Sequence, residues 1–386
     1  MNLALRRPIT CAPVARAVLL LAVAALFVPL CQGREQPLAR KQRTLIESAV
    51  ARFMAAKHAP GLSVAVVEDS EYRWSGGFGF ADLEGNVPAT EHTLYRLASI
   101  SKTLTAVGAM QLWERGQLDL DAPVQKYCPS FPAKPWMLTT RQVMGHVAGI
   151  RHYKSDSQDD PETGNIRHFG DPIQAGLGFF RDDPLLTQPG AHYHYSTQGY
   201  TLVGCVMEGA SGTSYADFMR RHVFIPAGMQ QTQADDRFAI IPYRTRFYRR
   251  TDSGAVENAD FLDSSYKLPG GGWLSSAEDM ARFEVAILKD QLLHRATLEL
   301  MWKQVKPGDG TVADDRYGLG WEIQNADGVA AFGHTGGQQG TSTAFLIAPA
   351  ARVGVVVLAN MEGVKSGELA LEILQQLTAP AVTPAK

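Results

Sequence analysis

The sequence predicts an α+β fold: one antiparallel five-stranded sheet built from both chain ends and flanked by helices, with a mostly helical lobe inserted between them. Three observations carry this. Near the start, residues 62–67 and 72–80 are short β-branched or aromatic runs separated by a turn at 68–71, which reads as a hairpin. Near the end, residues 328–333, 342–347 and 353–358 have the same character and add three strands. The long stretch between is helical in pattern, so the two ends meet in one sheet and the middle forms a second lobe. The sheet lobe takes about 38–97 and 271–377, and the helical lobe about 98–270.

A chain of 386 residues can bury the core this requires, in one large domain or two closely joined ones. Hydrophobic content of 45% and charged content of 20% describe an ordinary globular protein. The net charge of −2 gives no basis for expecting nucleic acid as a partner. The first 33 residues read as an export signal. Arg6, Arg7 and Arg16 precede an apolar run over 17–30, and no acidic residue occurs before Glu35. The run is short for a membrane span. Cys31-Gln32-Gly33 offers small residues at the −3 and −1 positions of a cleavage site. A mature domain over 34–386 is therefore expected, periplasmic or secreted, beginning at or near Arg34. The alternative is an uncleaved inner-membrane anchor. Leu30 before Cys31 makes a poor lipoprotein box, and Arg6-Arg7 lacks the rest of a twin-arginine signal. A mitochondrial presequence would be amphipathic and would not carry this continuous apolar core. Beyond residue 33 only Cys128 and Cys205 remain, too few for a disulfide framework, and two buried thiols are expected.

In chain order, residues 38–58 form an amphipathic helix. Leu45, Ala49 and Phe53, with Ile46, Val50 and Met54 alongside, make its apolar stripe, and Pro60-Gly61 stops it. Residues 103–113 (TLTAVGAMQLW) are apolar nearly all round, which marks a buried helix. Another helix ends after Arg141-Gln142-Val143-Met144, and His146 beside Gly149 is expected to satisfy its terminal carbonyls. Residues 154–172, polar with Pro, Gly and Asp, read as a surface loop. A helix over 364–377 closes the fold, before a Pro/Ala/Thr tail expected to be disordered. There is no internal repeat.

Chemistry concentrates where the buried helix begins. Ser99 and Lys102 are one helical turn apart and share a face. A lysine buried there loses hydration and its pKa falls, so a neutral amine can take the serine proton. The helix N-terminus adds positive potential where an alkoxide or oxyanion would form. Ser-x-x-Lys arises by chance about once or twice in a chain of this length, and a decoy exists at Ser264-Ser265-Tyr266-Lys267. That pair runs into Pro269-Gly270-Gly271-Gly272, which offers no buried helical face, and is set aside as a nucleophile. Tyr195, on a loop before the apolar helical run TLVGCVMEGASG, can act as acid or base if a nearby ammonium lowers its pKa. Gly333-His334-Thr335-Gly336-Gly337 lies between two strands, where a free strand N–H can point at an oxyanion. No Gly-x-Ser-x-Gly, His-Glu-x-x-His or Gly-x-Gly-x-x-Gly occurs, so no cofactor or metal is expected. His192 and His194 read as loop histidines rather than metal ligands.

Taken together, Ser99-Ile100-Ser101-Lys102, Tyr195-Ser196-Thr197 and His334-Thr335-Gly336 resemble the three motifs of the penicillin-recognising serine hydrolases, which include D,D-peptidases, class C β-lactamases and related esterases. RLASISKTLT, Ala148-Gly149-Ile150-Arg151-His152-Tyr153, YSTQGYTLVG, PGGGWLSS and HTGG extend the likeness to the mitochondrial β-lactamase-like serine proteases, over about residues 40–375. The resemblance implies a β-lactamase/transpeptidase-like fold. It makes Ser99 the acylated nucleophile, Lys102 its amine partner and Tyr195 the phenolic base that protonates the leaving group and later activates water. It implies an oxyanion hole from the backbone N–H groups of Ser99 and Gly337, and a cleft wall from Thr197, His334, Thr335 and Gly336. Two departures bear on substrate. Thr197 replaces the usual Asn of the second motif, and His334, only partly charged near neutrality, replaces the Lys of the third.

Three functions follow as expectations. The leading one is an exported serine hydrolase, a peptidase, cleaving a peptide or ester substrate through a Ser99 acyl-enzyme. The first alternative is a β-lactamase or D,D-carboxypeptidase, ranked lower because a permanent cation for the substrate carboxylate is missing at residue 334. The second is a non-catalytic scaffold for self-assembly or cell-wall binding, which would need none of Ser99, Lys102 and Tyr195. A homo-oligomer is compatible with all three.

Overall fold

The computed structural model describes residues 37–155, 162–164, 166–308 and 316–379. The expected leader over 1–33 and the Pro/Ala/Thr tail from residue 380 lie outside the described residues. In chain order the main sheet comprises Gly61–Glu68 (β1), Glu71–Asp82 (β2), Val87–Pro88 (β3), Glu322–Ala326 (β4), Val329–Gln338 (β5), Thr341–Ala348 (β6) and Val353–Ala359 (β7). They lie side by side as β3-β2-β1-β7-β6-β5-β4, antiparallel throughout. The sheet is thus seven-stranded, not five-stranded. The five expected strands are its centre, and the two additions are its edges. β3 is two exposed residues ending in proline, and β4 (EIQNA) is mostly polar. Short, polar, proline-bearing edges resist edge-to-edge aggregation, and for the same reason they carry no apolar periodicity to read.

The central strands are buried on both faces, which explains their continuous apolar runs. Leu62, Val64 and Val66 of β1 pack with Val355 and Val357 on one face, under helices Arg40–Lys57 (α1) and Ser366–Thr378 (α7). Ala65, Val67 and Val356 turn to the other face, toward Phe283 and the helical lobe. The α1 stripe uses Ile46, Ala49, Val50 and Phe53 as expected, whereas Leu45 is exposed. The hairpin turn places Asp69 and Ser70 at φ 56° and 60°, the left-handed pair that matches strand twist.

The middle of the chain is mostly helical but also holds two small sheets: Tyr95–Arg96 and Gln233–Ala234 flank Trp273–Ser275, and Tyr248–Arg250 pairs with Val256–Asn258. Its axis is Ile100–Glu114 (α2), buried from Ile100 to Leu112 on every side. Thr140–Met144 (α3) packs on Thr197–Ser211 (α4), α4 and Leu268–Gly271 (α5) pack on α2, and Ala277–Leu288 (α6) lies against β1, β2 and β7. Thr139 and Gln142 form a reciprocal capping box on α3. Ser196 caps α4 through Gly199 N–H, and Gly212 at φ 68° ends it.

Cys128 and Cys205 are not two thiols but a disulfide, S–S 2.08 Å, joining the segment before α3 to α4. Seventy-seven residues separate them, and nothing local announces the pairing. The expected surface loop over 154–172 is also corrected, because Glu162 and Thr163 are buried. Glu162 receives both terminal nitrogens of Arg151 at 2.6 and 2.8 Å, an ion pair that lets a polar segment enter the interior.

Glu284 of α6 is fully buried, and a Cβ on Gly354 of β7 would fall 2.5 Å from its Oε2. Burial holds its carboxyl well above the usual carboxylate range, against a smaller opposing pull from the Val355 backbone. The folded chain therefore keeps a proton that the unfolded chain releases above about pH 4.3, so this residue erodes stability as pH rises, by about 1.4 kcal/mol per pH unit. Glu284→Gln is expected to raise the melting temperature, by a larger margin at pH 8 than at pH 5. An equal shift at both values in scanning calorimetry would remove the proton from the explanation.

Candidate active site

Ala98 sets the geometry. It sits at φ 47°, a left-handed position that costs a non-glycine residue about 1–3 kcal/mol. It turns the chain sharply from Arg96 into α2 and leaves Ser99 at the helix entrance. Gly336 of β5 packs against this turn; a Cβ there would fall 2.4 Å from Leu97 O and 2.3 Å from Thr343 Oγ1. Only glycine fits.

Ser99 Oγ then receives two partners. Lys102 Nζ is 2.9 Å away and Tyr195 Oη donates to it at 2.8 Å. Lys102 Nζ also donates to Gly270 O of α5 at 2.8 Å and lies 4.8 Å from the Tyr195 ring centre. Lys102 is fully buried, and desolvation, then the Lys267 charge, push its pKa well down, with Glu322 pulling weakly the other way. Tyr195 moves in the opposite sense to the sequence-based expectation. Burial raises its pKa well above the ordinary phenol value, outweighing the Ser99 hydrogen bond. Both shifts favour the neutral forms: an amine able to accept the serine proton, beside a phenol able to donate one. The expected lowering of Tyr195 does not occur because desolvation outweighs the stabilisation its neighbours offer a phenolate.

The hydroxyl opens into a cleft of about 380 Å³. Thr197, Gly337, Gly270 and Gly271 line it with Ser99 and Tyr195. β5 runs to Gln338, so the HTGG segment is strand rather than turn, and its pairing with β4 ends at Gly333. The edge beyond is open where Gly337 reaches the cleft, and a Cβ on Gly337 would meet nothing within 4 Å.

A beta-lactamase family profile matches residues 46–378. The chain belongs to the β-lactamase family of serine hydrolases. It is 30% identical over 381 residues to the human serine beta-lactamase-like protein LACTB, mitochondrial, covering 75% of this chain and 69% of that protein. It is 28% identical to penicillin-binding protein 4* of Bacillus subtilis, over 80% of this chain and 70% of the relative. Among solved structures it resembles the octameric penicillin-binding protein homologue from Pyrococcus abyssi, with a TM-score of 0.76 and 25% identity, over 87% of this chain and 77% of that one.

Not every residue of the third motif reaches the family's cleft here. His334 is buried, 1% exposed, with Nε2 2.9 Å from Tyr317 Oη and Nδ1 2.6 Å from Thr335 O. Burial lowers its pKa although Glu322 opposes this, so it is a neutral ring behind Tyr195 rather than a partly charged wall. Thr335 donates to Glu322 at 2.8 Å and lines a second depression on the far side of Tyr195, with Tyr193, Arg316 and Tyr317. Gly336 is spent on packing against the Ala98 turn.

His146 does not serve helix-terminal carbonyls with its ring. Its Nδ1 accepts the Ser196 N–H at 3.1 Å, and the ring packs 4.4 Å from Tyr195. His152 Nδ1 accepts the Thr197 N–H at 3.2 Å and lines the cleft, its pKa pushed down to about 3 by burial and then by Lys102 and Lys267. His152 lies in the Ala148–Tyr153 block of the family likeness, but nothing in its spacing announces the bond to Thr197. The decoy is revised too. Ser264 and Lys267 are buried, at 0% and 3% exposure, because Pro269 is tolerated in the first turn of α5. Ser264 Oγ has no hydrogen-bond partner among the described residues, whereas Lys267 lines the Ser99 cleft.

Proposed function

We propose that this chain is an exported peptidase that cleaves its substrate through a Ser99 acyl-enzyme. The observation that carries the reading is the convergence of Lys102 and Tyr195 on one serine hydroxyl at 2.9 and 2.8 Å. Lys102 takes the Ser99 proton as Oγ bonds to the substrate carbonyl carbon. The resulting oxyanion sits against the backbone N–H groups of Ser99 and Gly337. As the C–N bond breaks, the Tyr195 hydroxyl passes its proton to the departing amine and is reprotonated from Lys102. A water then attacks the acyl ester, its proton returning through the same pair, and Ser99 leaves as the free hydroxyl. Thr197 at the N-terminus of α4 faces the acyl or amide portion of the substrate.

Hydrolysis of β-lactams or of D,D-peptides ranks below this because Thr197 stands where the second motif usually carries an amide-recognising Asn, and His334 offers no charge in the place of the third motif's Lys. A scaffold gives no reason for a neutral amine and a phenol on the same hydroxyl. Export is supported by the N-terminal residue pattern and by the Cys128–Cys205 disulfide, a bond that persists in oxidising compartments. A homo-oligomer is compatible with the reading, and one relative is octameric.

The test is intact mass after reaction with a fluorophosphonate. Wild type and Ser264→Ala are expected to gain one adduct, and Ser99→Ala none. An adduct on Ser99→Ala would overturn the assignment.

A further inference from the structure

Lys267 stands out among the groups the mechanism leaves unused. Lys267 is 3% exposed, yet among the described residues its ammonium has no hydrogen-bond acceptor or ion-pair partner. Its nitrogen lies 5.5 and 5.6 Å from the ring centres of Tyr266 and Tyr153. Nearby Asp235 is engaged elsewhere, by Arg96 at 2.7 Å and Arg244 at 3.3 Å. A buried charge left uncompensated costs several kcal/mol, so a cation in this position calls for an anion from outside the chain.

The cleft is shaped to admit one. A Cβ on Gly271 would lie 3.5 Å from Gln338 Oε1, 3.8 Å from Lys267 Cδ and 3.9 Å from the carbonyl carbon of Ala98. The missing side chain keeps open a gap joining the Lys267 stem, the Gln338 amide and the backbone that leads into Ser99. Gln338 Nε2 is itself buried with no acceptor. The gap opens in the wall of the cavity that holds Ser99, with the Lys267 stem and the amide oxygen of Gln338 at its edge. The other bases of that wall do not compete, since His152 is neutral and His334 lies behind Tyr195. Glu362 also lines the cavity, but burial and Asp260 push its carboxyl up, which weakens it as a counter-ion.

We propose that Lys267 anchors a carboxylate of the substrate in the Ser99 cleft. The cation absent from the third motif is then supplied by α5's entrance on the opposite side of the sequence. This rests on the Ser99 acyl-enzyme reading and adds to it the charge of the substrate. Two sources share the chemistry: a free C-terminal carboxylate, or an acidic side chain near the scissile bond.

The pH behaviour follows from the groups facing Lys267. Desolvation and then Arg96 lower its pKa, to about 7, against the pull of Asp235, while Lys102 and His152 are further basic neighbours and the rings of Tyr153 and Tyr266 face its nitrogen. A bound carboxylate favours the protonated form, so binding is strongest below pH 7 and weakens as pH rises through it, roughly tenfold per unit once the amine is discharged.

The test uses three otherwise identical acylated peptides: one with a free terminal carboxylate, one with a terminal carboxamide, and one with a carboxamide and an acidic side chain beside the scissile bond. At pH 6, one carboxylate peptide is expected to exceed the neutral peptide in kcat/KM by roughly 10- to 100-fold, mainly through KM. Which one does so identifies the source. The ratio should shrink between pH 7 and 9 in the wild type, vanish in Lys267→Met, and persist to higher pH in Lys267→Arg, whose charge is permanent. Comparing substrates within each variant cancels the effect of Lys267 on Lys102. Equal kcat/KM for all three peptides in the wild type, or a preference retained by Lys267→Met, overturns the anchor. Fluorophosphonate labelling of the same samples separates the failures: no Ser99 adduct in the wild type defeats the acyl-enzyme reading, whereas labelling without a carboxylate preference defeats the anchor alone.

Discussion

Tyr195→Phe and Lys102→Met are each expected to slow turnover by roughly 10²–10⁴-fold, the range for loss of a positioned acid or base. Stability responds differently. Tyr195→Phe keeps the ring that packs on His146 and loses one hydrogen bond, a change of about 1 kcal/mol. Lys102→Met fills the same stem volume and removes an amine that burial already holds neutral. The pH profile carries the sign of the mechanism. Lys102 works as the neutral amine and its pKa is well below the ordinary value. Turnover at saturating substrate should therefore rise as pH climbs through that lowered value and level off before the range in which an exposed lysine, near 10.4, would titrate. Hydrolysis rates and thermal melting on both variants decide the matter. Turnover within a factor of about three of wild type would remove Lys102 and Tyr195 from the chemistry, being far short of a general-base effect.

The Cys128→Ser/Cys205→Ser double variant is expected to lose about 4 kcal/mol of stability, the chain-entropy value for a closed loop of this length. Cys205 lies in α4, whose first residue is Thr197 and whose N-terminal approach carries Tyr195. Loosening that helix should therefore depress activity at temperatures where the rest of the chain is still folded. Denaturant unfolding of wild type, reduced wild type and the double variant measures the loss. Two alkylatable thiols in the native protein without reductant, or unfolding midpoints unchanged by reduction, would contradict it.

The central strands, the buried helix after Ser99 and the α1 stripe were legible because each depends on local periodicity. Strands buried on both faces read as β-branched runs, and a helix buried on all sides reads as an apolar one. The seven-stranded width was not legible, since β3 and β4 owe their place to hydrogen bonds with neighbours and not to their own side chains. The same division runs through the site. Ser99 and Lys102 are neighbours by helical spacing alone, so the pair could be found from sequence. Tyr195 is 96 residues from Ser99 and was placed by its resemblance to a motif.

Charge states were only partly legible. The apolar helix after Ser99 already implied a buried Lys102 with a lowered pKa, and the structure agrees. A lowered Tyr195 and a half-charged His334 were also expected, whereas desolvation raises the first and lowers the second. The Ser264–Lys267 decoy shows the same limit from the other side. Its proline and glycines correctly argued against a long helix, but they could not reveal that the lysine would be carried into the Ser99 cleft. The sequence by itself determined the class of fold, the pairing of Ser99 with Lys102, and the order of the motifs, because these rest on spacing and periodicity along the chain. That Lys267 lines the Ser99 cleft, that burial raises Tyr195 and lowers His334, and that Cys128 meets Cys205 were decided by the tertiary structure alone, because desolvation and long-range contact exist only once distant segments enclose one another.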